Sequence, residues 1–254
     1  MQGEVYRRWE INSPVCSTAD ELHAALTSMR SALASAAAEE GGRLLAIAVP
    51  PRGRPAQLVT RKRRYQQLAA RYGQLALEQG VCGCHVHVDV PDRETAVRVS
   101  NYLRPLMGEQ MVYWDVRPSS HLATVEVRVS DIPLTVDETV VLATLVRALV
   151  MTALEAGGVG AAVDDEVLHA AYWLAARDGL LGDGLDVLAA ESMPMSELVE
   201  RMRREVEPAL EELGEVELVR DGIARVLRDG NGAVKQRRAF REGDDVLALT
   251  EVKP

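Results

Sequence analysis

Aromatic residues are scarce in this sequence of 254 residues, where three Trp, six Tyr and one Phe make up 4% of the chain. Because hydrophobic residues still amount to 47%, the core must be built mostly from Ala, Val and Leu. Lys is also rare, with 3 residues against 26 Arg, and the net charge is −9. This acidic balance argues against non-specific nucleic-acid binding, which needs positive charge facing the phosphates.

Long apolar runs and paired cysteines are missing as well. The sequence has no stretch of about 18 apolar residues, so no membrane span is expected. The first residues show no basic stretch followed by an apolar one, so we expect no signal peptide. Three Cys in a chain of this length do not indicate a disulfide framework, which favours a protein of the reducing cytoplasm.

Capping residues and alternating side chains predict an α+β domain. The Thr-x-x-Glu capping boxes at Thr18 and Thr135 predict the starts of two long helices. The predicted strands cover 4–12, 43–49, 81–90, 111–117 and 124–130, and the predicted helices cover 18–41, 61–79, 92–106, 135–156, 164–177, 196–213, 215–228 and 232–241. We therefore expect a single domain over residues 1–254, with a helical C-terminal half from about residue 135.

One apolar stripe, from Val140 to Leu154, has two interpretations. It can be part of the core, which is the usual role of such stripes, or it can be a homodimer face.

Side chains of a strand alternate between its two faces, and this rule sorts the candidate residues. In the segment 82–89, His85, His87 and Asp89 share one face, while Cys82 and Cys84 share the other. A structural zinc site needs convergent thiols and imidazoles. The C-x-C-H-x-H pattern is therefore interpreted mainly as buried, inert cysteines, with zinc as the minor alternative.

The other predicted strands also have one polar face each. These faces carry Glu4, Tyr6, Arg8, Glu10 and Asn12, then Tyr113, Asp115 and Arg117, then Thr124, Glu126, Arg128 and Ser130. A merely solvated face of an antiparallel sheet is the plain alternative. Carboxylates, His and Arg together, however, suit divalent metal and phosphate. We predict an antiparallel sheet flanked by helices, whose polar face binds a metal-bound anion.

Several blocks in a fixed order resemble a known family. They are Trp9–Cys16 (a Glu-x-x-Ser-Pro segment), Val81–Val88, Met111–His121, Thr124–Val129, Trp173–Gly179 and Gly230–Phe240. Together they are similar to the bacterial carboxylate–amine ligases of the type-2 glutamate–cysteine ligase family. The resemblance implies a glutamine-synthetase-like catalytic sheet. It also implies that ATP phosphorylates a carboxylate, typically the γ-carboxylate of glutamate, and that an amine such as cysteine then forms an amide.

The same resemblance implies roles for individual residues. Glu10, His85 and Glu126 would be Mg²⁺ ligands. Arg128 would contact the γ-phosphate, and Arg117 would help bind nucleotide or substrate. A plain cross-strand pair of Glu126 with Arg128, worth under about 1 kcal/mol, is the structural alternative.

The resemblance also implies an alternative role for His85 and places two further residues, Tyr113 and His87, near this predicted site. His85 could also be a phosphate ligand, and Tyr113 would shape the amine side of a nucleotide-binding pocket. His87 belongs to the same face, although related enzymes vary there.

Two departures from the family pattern keep other hypotheses open. The chain lacks the usual Gly-x-Glu-Glu-Glu strand, and residues 106 and 107 adjoin where the family has several dozen residues of the substrate pocket. Segments before residue 1 and between 106 and 107 are therefore expected in the family but absent from this sequence. The first hypothesis is the carboxylate–amine ligase described above. The second hypothesis is a non-catalytic member of the family that binds nucleotide, amino acid or a partner protein. The third is a plain metal-binding protein that uses His85, His87 and Asp89.

Overall fold

The computed structural model describes residues 9–49, 63–72, 82–107, 116–158 and 160–253. Its α-helices are α1 (Ala19–Glu39), α2 (Arg63–Tyr72), α3 (Arg93–Met107), α4 (Val136–Glu155), α5 (Asp165–Asp178), α6 (Met195–Glu205), α7 (Glu207–Leu213), α8 (Val216–Asp229), α9 (Gly232–Glu242) and α10 (Val246–Thr250). Its strands are β1 (Leu44–Leu45), β2 (Gly83–Asp89), β3 (Val116–Pro118), β4 (Thr124–Asp131), β5 (Asp183–Asp186), β6 (Glu191–Pro194) and β7 (Glu251–Val252). The predicted α+β class is confirmed.

A three-stranded antiparallel sheet has the strand order β2–β4–β3. Its central strand, β4, pairs with β2 on one side and with β3 on the other. His87 of β2 and Arg117 of β3 are the cross-strand partners of Glu126. Because directly opposite residues point to the same face of a sheet, these three polar side chains lie side by side.

The pairing of β2 with β4 contains one irregularity. Cys84 is opposite Ser130, whereas Val86 is opposite Val127, so β4 has one residue more than β2 in this stretch. This two-against-one count is that of a β-bulge. Strict alternation places Val129 on the apolar face, but the side chain is 38% exposed, because the bulge interrupts the alternation.

The apolar face of the sheet packs against α3 and α4. Val125 and Val127 of β4 are buried in one cluster with Val99 and Leu103 of α3 and Val150 of α4. Burying a side chain of this size contributes about 1.5–3 kcal/mol. The buried hydrophobic residues of the described chain are Ala, Val, Leu, Ile and Met, in agreement with the scarcity of aromatic residues.

α4 is a core helix. Its N-terminus has the predicted capping box, in which the Thr135 side chain accepts from the backbone of Glu138 and the Glu138 side chain accepts from the backbone of Thr135. Val146, Leu149 and other residues along its length are buried against α1, α3, α7 and α8. Of the two interpretations of the apolar stripe, the structure supports the core.

α1 is held on the body of the molecule by polar contacts as well as by packing. Thr18 caps its N-terminus by accepting from the backbone N–H of Glu21, as the capping box predicts. The buried guanidinium of Arg30 donates to the carbonyl oxygens of Pro133 and Leu134 and to Thr139 Oγ1, each at 3.1 Å. Arg30 therefore connects α1 by hydrogen bonds to the segment that precedes α4 and to its first turn.

Two predicted strands and one predicted helix are shorter in the described structure than the sequence predicts, or lie partly outside it. Residues 9–12 form no regular structure, and the rest of the strand predicted over 4–12 lies outside the described residues. The strand predicted over 43–49 is reduced to β1, which pairs with β7. Of the helix predicted over 61–79, the described part is α2, and residues 73–79 lie outside the described residues.

The helical C-terminal half contains a hairpin that the sequence pattern does not predict. β5 and β6 pair in antiparallel register from Asp183 with Pro194 to Asp186 with Glu191. Each strand has four residues, which is too short for a clear alternation, and the turn is held by Asp186 Oδ1, which accepts from two backbone N–H groups of the loop. The helix predicted over 196–213 is divided at Val206, with Pro208 in the first turn of α7, where Pro is tolerated.

Among the helices of the described residues, none combines the length and the apolar character needed to cross a membrane.

Candidate active site on the polar face of the sheet

Glu126 is the centre of the candidate site. It lies near the middle of β4, and its side chain is 6% exposed. His87 and Arg117 flank it in register on the two neighbouring strands. A carboxylate that is buried to this extent needs charged or hydrogen-bonding partners, because an unpaired buried charge is very costly.

Both carboxylate oxygens of Glu126 have such partners. Oε2 accepts a hydrogen bond from Arg117 Nε at 2.6 Å. Oε1 lies 3.2 Å from His85 Nδ1, 3.3 Å from Arg128 Nε and 3.8 Å from His87 Nε2. We call these five residues the Glu126 cluster. With two guanidinium groups around one carboxylate, it is positively charged even when both imidazoles are neutral.

The β-bulge explains how His85 and Arg128 meet at the same oxygen. In the shifted stretch, the two β4 residues Arg128 and Val129 lie opposite the single β2 residue His85. Bulges re-aim side chains and are common beside active sites. Alternation predicted the shared face correctly, but it gave no signal for this local convergence on Glu126 Oε1.

Electrostatics keep the Glu126 carboxylate ionised. Burial acts to raise its pKa, but hydrogen bonds from His85 and Arg117 and the positive charges of Arg128 and Arg117 outweigh burial and lower the pKa to about 2. Glu126 therefore remains an anion throughout the neutral pH range, and it can serve as a counter-ion or as a metal ligand.

His87 has a second partner on the sheet. Its Nδ1 atom lies 3.0 Å from Thr124 Oγ1 on β4. Burial lowers the pKa of His87, because it disfavours the charged imidazole. The negative charge of Glu126 raises this pKa, whereas the positive charges of His85, Arg117 and Arg128 lower it further. Side-chain alternation places Thr124 on this face, and in the structure its hydroxyl is the partner that orients the imidazole.

Two predicted site residues are not part of the described cluster. Tyr113 lies outside the described residues, and Glu10 is exposed in the irregular segment before α1. In the part of the chain that the structure describes, no three His, Cys, Asp or Glu side chains form a group that could hold a metal ion. The structure therefore does not gather Glu10, His85 and Glu126 around one ion, and this ligand set stays a prediction.

The cysteine of β2, Cys84, lies on the face that alternation predicts. The burial of residues alternates along β2, with the two His and Asp89 exposed and Cys84 on the opposite, partly buried face. Burial raises the pKa of the Cys84 thiol, which disfavours the thiolate that zinc needs. The C-x-C-H-x-H pattern therefore does not form a convergent ligand set in the described structure.

The described cluster contains one carboxylate, that of Glu126, and its oxygens are already contacted by Arg117, Arg128 and His85. Mg²⁺ is usually bound through one or two carboxylates, and it completes its shell with water and substrate phosphate oxygens. The described residues therefore do not form a site that holds Mg²⁺ by itself.

Among solved structures, the fold is similar to that of the Pup ligase PafA in complex with ADP, which belongs to the prokaryotic ubiquitin-like modification pathway. The TM-score is 0.52 at 11% sequence identity, over 94% of this chain and 64% of the PafA chain. A likeness at this identity concerns the fold alone. It confirms the predicted α+β fold, which this chain shares with the PafA chain.

Sequence comparison identifies the family. The model of glutamate–cysteine ligase family 2 matches residues 4–109 and 107–248. One relative is the "Putative glutamate--cysteine ligase 2-3" of Mycolicibacterium smegmatis. Another is the "Putative glutamate--cysteine ligase 2-1" of Nocardia farcinica. Each relative is 40% identical to this chain, in an alignment that covers 94% of it. The alignments cover 84% of the Mycolicibacterium protein and 79% of the Nocardia protein. The chain belongs to glutamate–cysteine ligase family 2, a family of carbon–nitrogen ligases, as the sequence blocks predicted.

The alignments also bear on the junction near residue 107. The alignment with the Mycolicibacterium protein extends over 305 positions, which is more than the 254 residues of this chain. The two matches to the family model meet at residues 107–109. The relatives therefore have residues with no counterpart in this sequence.

Proposed function

We propose that this chain is an ATP-dependent ligase that joins a carboxylate to an amine through an acyl phosphate. The observation that carries the proposal is the Glu126 cluster, which gathers two guanidinium groups and two imidazoles on one face of the sheet in a member of this ligase family. Such a group of positive charges suits the transfer of a phosphoryl group, whose negative charge must be neutralised.

The reaction has two steps. A carboxylate oxygen of the substrate attacks the γ-phosphorus of ATP, and the bond to the β,γ-bridging oxygen breaks, which releases ADP and leaves an acyl phosphate. The amine nitrogen then attacks the acyl carbon, the carbon–oxygen bond to phosphate breaks, and the nitrogen loses a proton. The products are an amide, ADP and inorganic phosphate.

Arg128 and Arg117 are the proposed catalytic residues and nucleotide ligands. Arg128 is on the central strand and 18% exposed, which suits a fixed contact with the transferring phosphoryl group. Arg117 is 39% exposed on the neighbouring strand and would bind nucleotide or substrate. A planar guanidinium offers paired donors to phosphate or carboxylate oxygens.

Mg²⁺ would be held by Glu126 and His85, with Glu10 as a further proposed ligand. When bound, it would neutralise charge on the nucleotide phosphates. His87, oriented by Thr124, would keep a neutral imidazole beside these groups.

The proposed substrates are small molecules. The carboxylate is that of glutamate, at its γ position, or of a related acid, and the amine is cysteine or another primary amine, on whose side Tyr113 is proposed to lie. We place the protein in the cytoplasm, where ATP and glutamate are abundant. This proposal agrees with the observation that Cys16, Cys82 and Cys84, which all lie in the described part of the chain, form no disulfide with one another. A homodimer remains a proposal that native mass spectrometry can test.

Turnover tests the proposal directly. The protein is incubated with ATP, Mg²⁺, glutamate and a panel of amines, and ADP release and amide formation are measured. We expect ADP and amide in equal amounts that depend on both the carboxylate and the amine. Amine-independent ADP release, or no ADP at all, would contradict the ligase.

Replacing Glu126 tests the site. Glu126→Gln keeps the size of the side chain but removes the negative charge that pairs with two guanidinium groups. We expect turnover to fall by about 10²–10³-fold, the usual cost of losing one electrostatic contact in a transition state. Glu197→Gln is the matched control, since Glu197 pairs with Arg201 on the exposed face of α6 and should leave turnover unchanged. Circular dichroism checks that both variants fold, and unchanged turnover in folded Glu126→Gln would show that this face of the sheet is not the active site.

A second candidate function is supported by the alignment length. Because the relatives have residues near position 107 that this sequence lacks, a substrate pocket built from that segment would be incomplete. The second candidate is therefore a non-catalytic member that binds nucleotide. ADP binding measured by titration calorimetry, without amine-dependent ADP release from ATP, would favour this candidate over the ligase.

A further inference from the structure

The β-bulge changes which residue of β4 shares the polar face with His85 at the end of the sheet. Strict alternation along β4 predicts Ser130 on this face. In the structure, Ser130 is opposite Cys84, whereas Asp131 is opposite Gly83. Gly83 is two residues before His85 and so belongs to the same face, and directly opposite residues share a face. The bulge therefore adds Asp131 to the polar face.

The surface beside Asp131 is open. Its cross-strand partner Gly83 has no side chain, and a Cβ atom at this position would lie 3.5 Å from His85 Nε2 and 3.5 Å from the carbonyl oxygen of Ser130. These are ordinary van der Waals distances, so this position accommodates an added group. Val129, two residues before Asp131 on the same face, is 38% exposed and adds an apolar surface.

Asp131 and Glu126 differ in their partners. Glu126 is surrounded by Arg and His side chains, whereas no Arg, Lys or His of the described residues forms an ion pair with Asp131. Asp131 is exposed at the end of β4, and burial on its protein side raises the pKa of its carboxyl group. A carboxylate that is partly desolvated and has no cation beside it is stabilised by binding one.

The polar face thus has a positive centre and a negative end. Gly83, which is opposite Asp131, is two residues from His85 along β2, a distance of about 7 Å. A molecule of amino-acid size can therefore contact both regions. Aliphatic amines are ammonium ions at neutral pH. The guanidinium groups of the Glu126 cluster repel such an ion, whereas the Asp131 carboxylate attracts it.

We propose that Asp131 binds the ammonium group of the amine substrate. The proposal rests on the proposed ligase, whose acyl phosphate would be held by the guanidinium groups of the Glu126 cluster. Val129 would contact the carbon chain of the amine, and Gly83 leaves room for that chain. Alternation gives no signal for this residue, because it places Ser130 on the face instead.

The first test measures binding and uses no ATP. n-Propylammonium, a cation with a short apolar chain, is titrated against the protein and followed by saturation-transfer NMR, with uncharged 1-propanol as the matched probe. We expect propylammonium to bind about 10–100-fold more weakly to Asp131→Asn, the range for a hydrogen bond to a charged group. Binding of 1-propanol should not change. Equal affinity for propylammonium in the unmodified protein and in folded Asp131→Asn would overturn the proposal.

Two other carboxylates serve as comparisons. Asp221 is exposed on α8, which is not part of the sheet, and Asp221→Asn should leave the affinity for propylammonium unchanged. Asp89 is exposed on the polar face at the opposite end of β2, in register with Thr124. Loss of binding in Asp89→Asn but not in Asp131→Asn would place the cation at that end of the sheet and overturn the proposal.

Turnover separates a charge effect from a structural effect. Hydroxylamine is largely uncharged at neutral pH, and its product, a hydroxamate, is measured by its colour with iron(III). With propylamine as the amine, Asp131→Asn should raise the KM for the amine about 10–100-fold and leave the KM for ATP unchanged. With hydroxylamine, the variant should turn over as the unmodified protein does. An equal loss with both amines would show that Asp131 has a structural role only.

Gly83→Val keeps the proposal testable if Asp131→Asn does not fold. Its β-branched side chain suits a strand but fills the space opposite Asp131. We expect weaker binding of propylammonium to this variant, and unchanged binding would overturn the proposal. The amine site and the ligase can also fail separately. A chain that makes no amide can still bind propylammonium at Asp131, whereas amide formation with an unchanged KM in Asp131→Asn would leave the ligase and remove the amine site.

Discussion

A single buried carboxylate organises the chemistry of the sheet face. Glu126 draws side chains from three strands to within hydrogen-bonding or ion-pairing distance, because its charge cannot remain buried without partners. Removing one partner of such a group generally costs more than the pair contributes. Substitutions in the Glu126 cluster are therefore expected to affect stability as well as activity.

The lowered pKa of Glu126 predicts an acid-dependent loss of stability. A carboxyl group with a depressed pKa in the folded state stabilises the fold above its unfolded pKa, here 4.5, and this contribution is lost as the pH falls toward about 2. The contribution at neutral pH is about 3 kcal/mol. Urea unfolding of the unmodified protein and Glu126→Gln at several pH values measures it. The difference between the two should be largest above pH 4.5 and shrink toward pH 2, and a difference that is constant with pH would contradict this assignment.

At the scale of elements, the bulge in β4 and the attachment of α1 are the two features that position the site. The bulge sets the register that brings His85 and Arg128 to Glu126. Arg30 connects α1 with the segment between β4 and α4, so it supports the end of the strand that carries Glu126.

Arg30→Ala should destabilise the protein. It removes three hydrogen bonds from a buried guanidinium and leaves two carbonyl oxygens and the Thr139 hydroxyl without these donors. We expect a loss of about 2–3 kcal/mol in the free energy of unfolding, measured with urea. Arg228→Ala is the control, because Arg228 is 68% exposed, pairs with its neighbour Asp229 and should cost less than about 1 kcal/mol. Equal losses in the two variants would show that Arg30 is not an anchor.

At the scale of the whole molecule, the fold places a local positive charge on an acidic protein. The net charge of −9 excludes a general attraction to polyanions, whereas the Glu126 cluster supplies positive charge at one place on the sheet. This distribution of charge agrees with the proposed binding of a small anion at one site rather than along the surface.

Nucleotide binding should therefore stabilise the whole domain. At an ADP concentration of about 100 times Kd, binding adds about 2.7 kcal/mol to the stability of the folded state. For a chain of this size, this corresponds to a rise in Tm of about 5–10 °C. Differential scanning fluorimetry with and without ADP and Mg²⁺ measures the shift, and Arg128→Ala should remove most of it. An equal shift in folded Arg128→Ala would place the nucleotide elsewhere.

Much of this architecture was predictable from local patterns. The capping boxes at Thr18 and Thr135 predicted the starts of α1 and α4, because a cap is a contact between residues three apart. The alternation along residues 82–89 predicted that the His and Cys side chains take opposite faces. The β5–β6 hairpin was missed because its strands are short and its pairing depends on tertiary context.

The sequence by itself determined which side chains share a face, where the two long helices begin, that the core is built from small aliphatic residues, and which family the chain belongs to. Only the tertiary structure decided that His87, Glu126 and Arg117 lie in one row, that the bulge brings His85 and Arg128 to the same oxygen, and that positive groups already occupy both oxygens of Glu126. The reason is that side-chain alternation is a property of one strand. Register, in contrast, is set by pairing between strands that are distant in the sequence and by the packing of one face against the core.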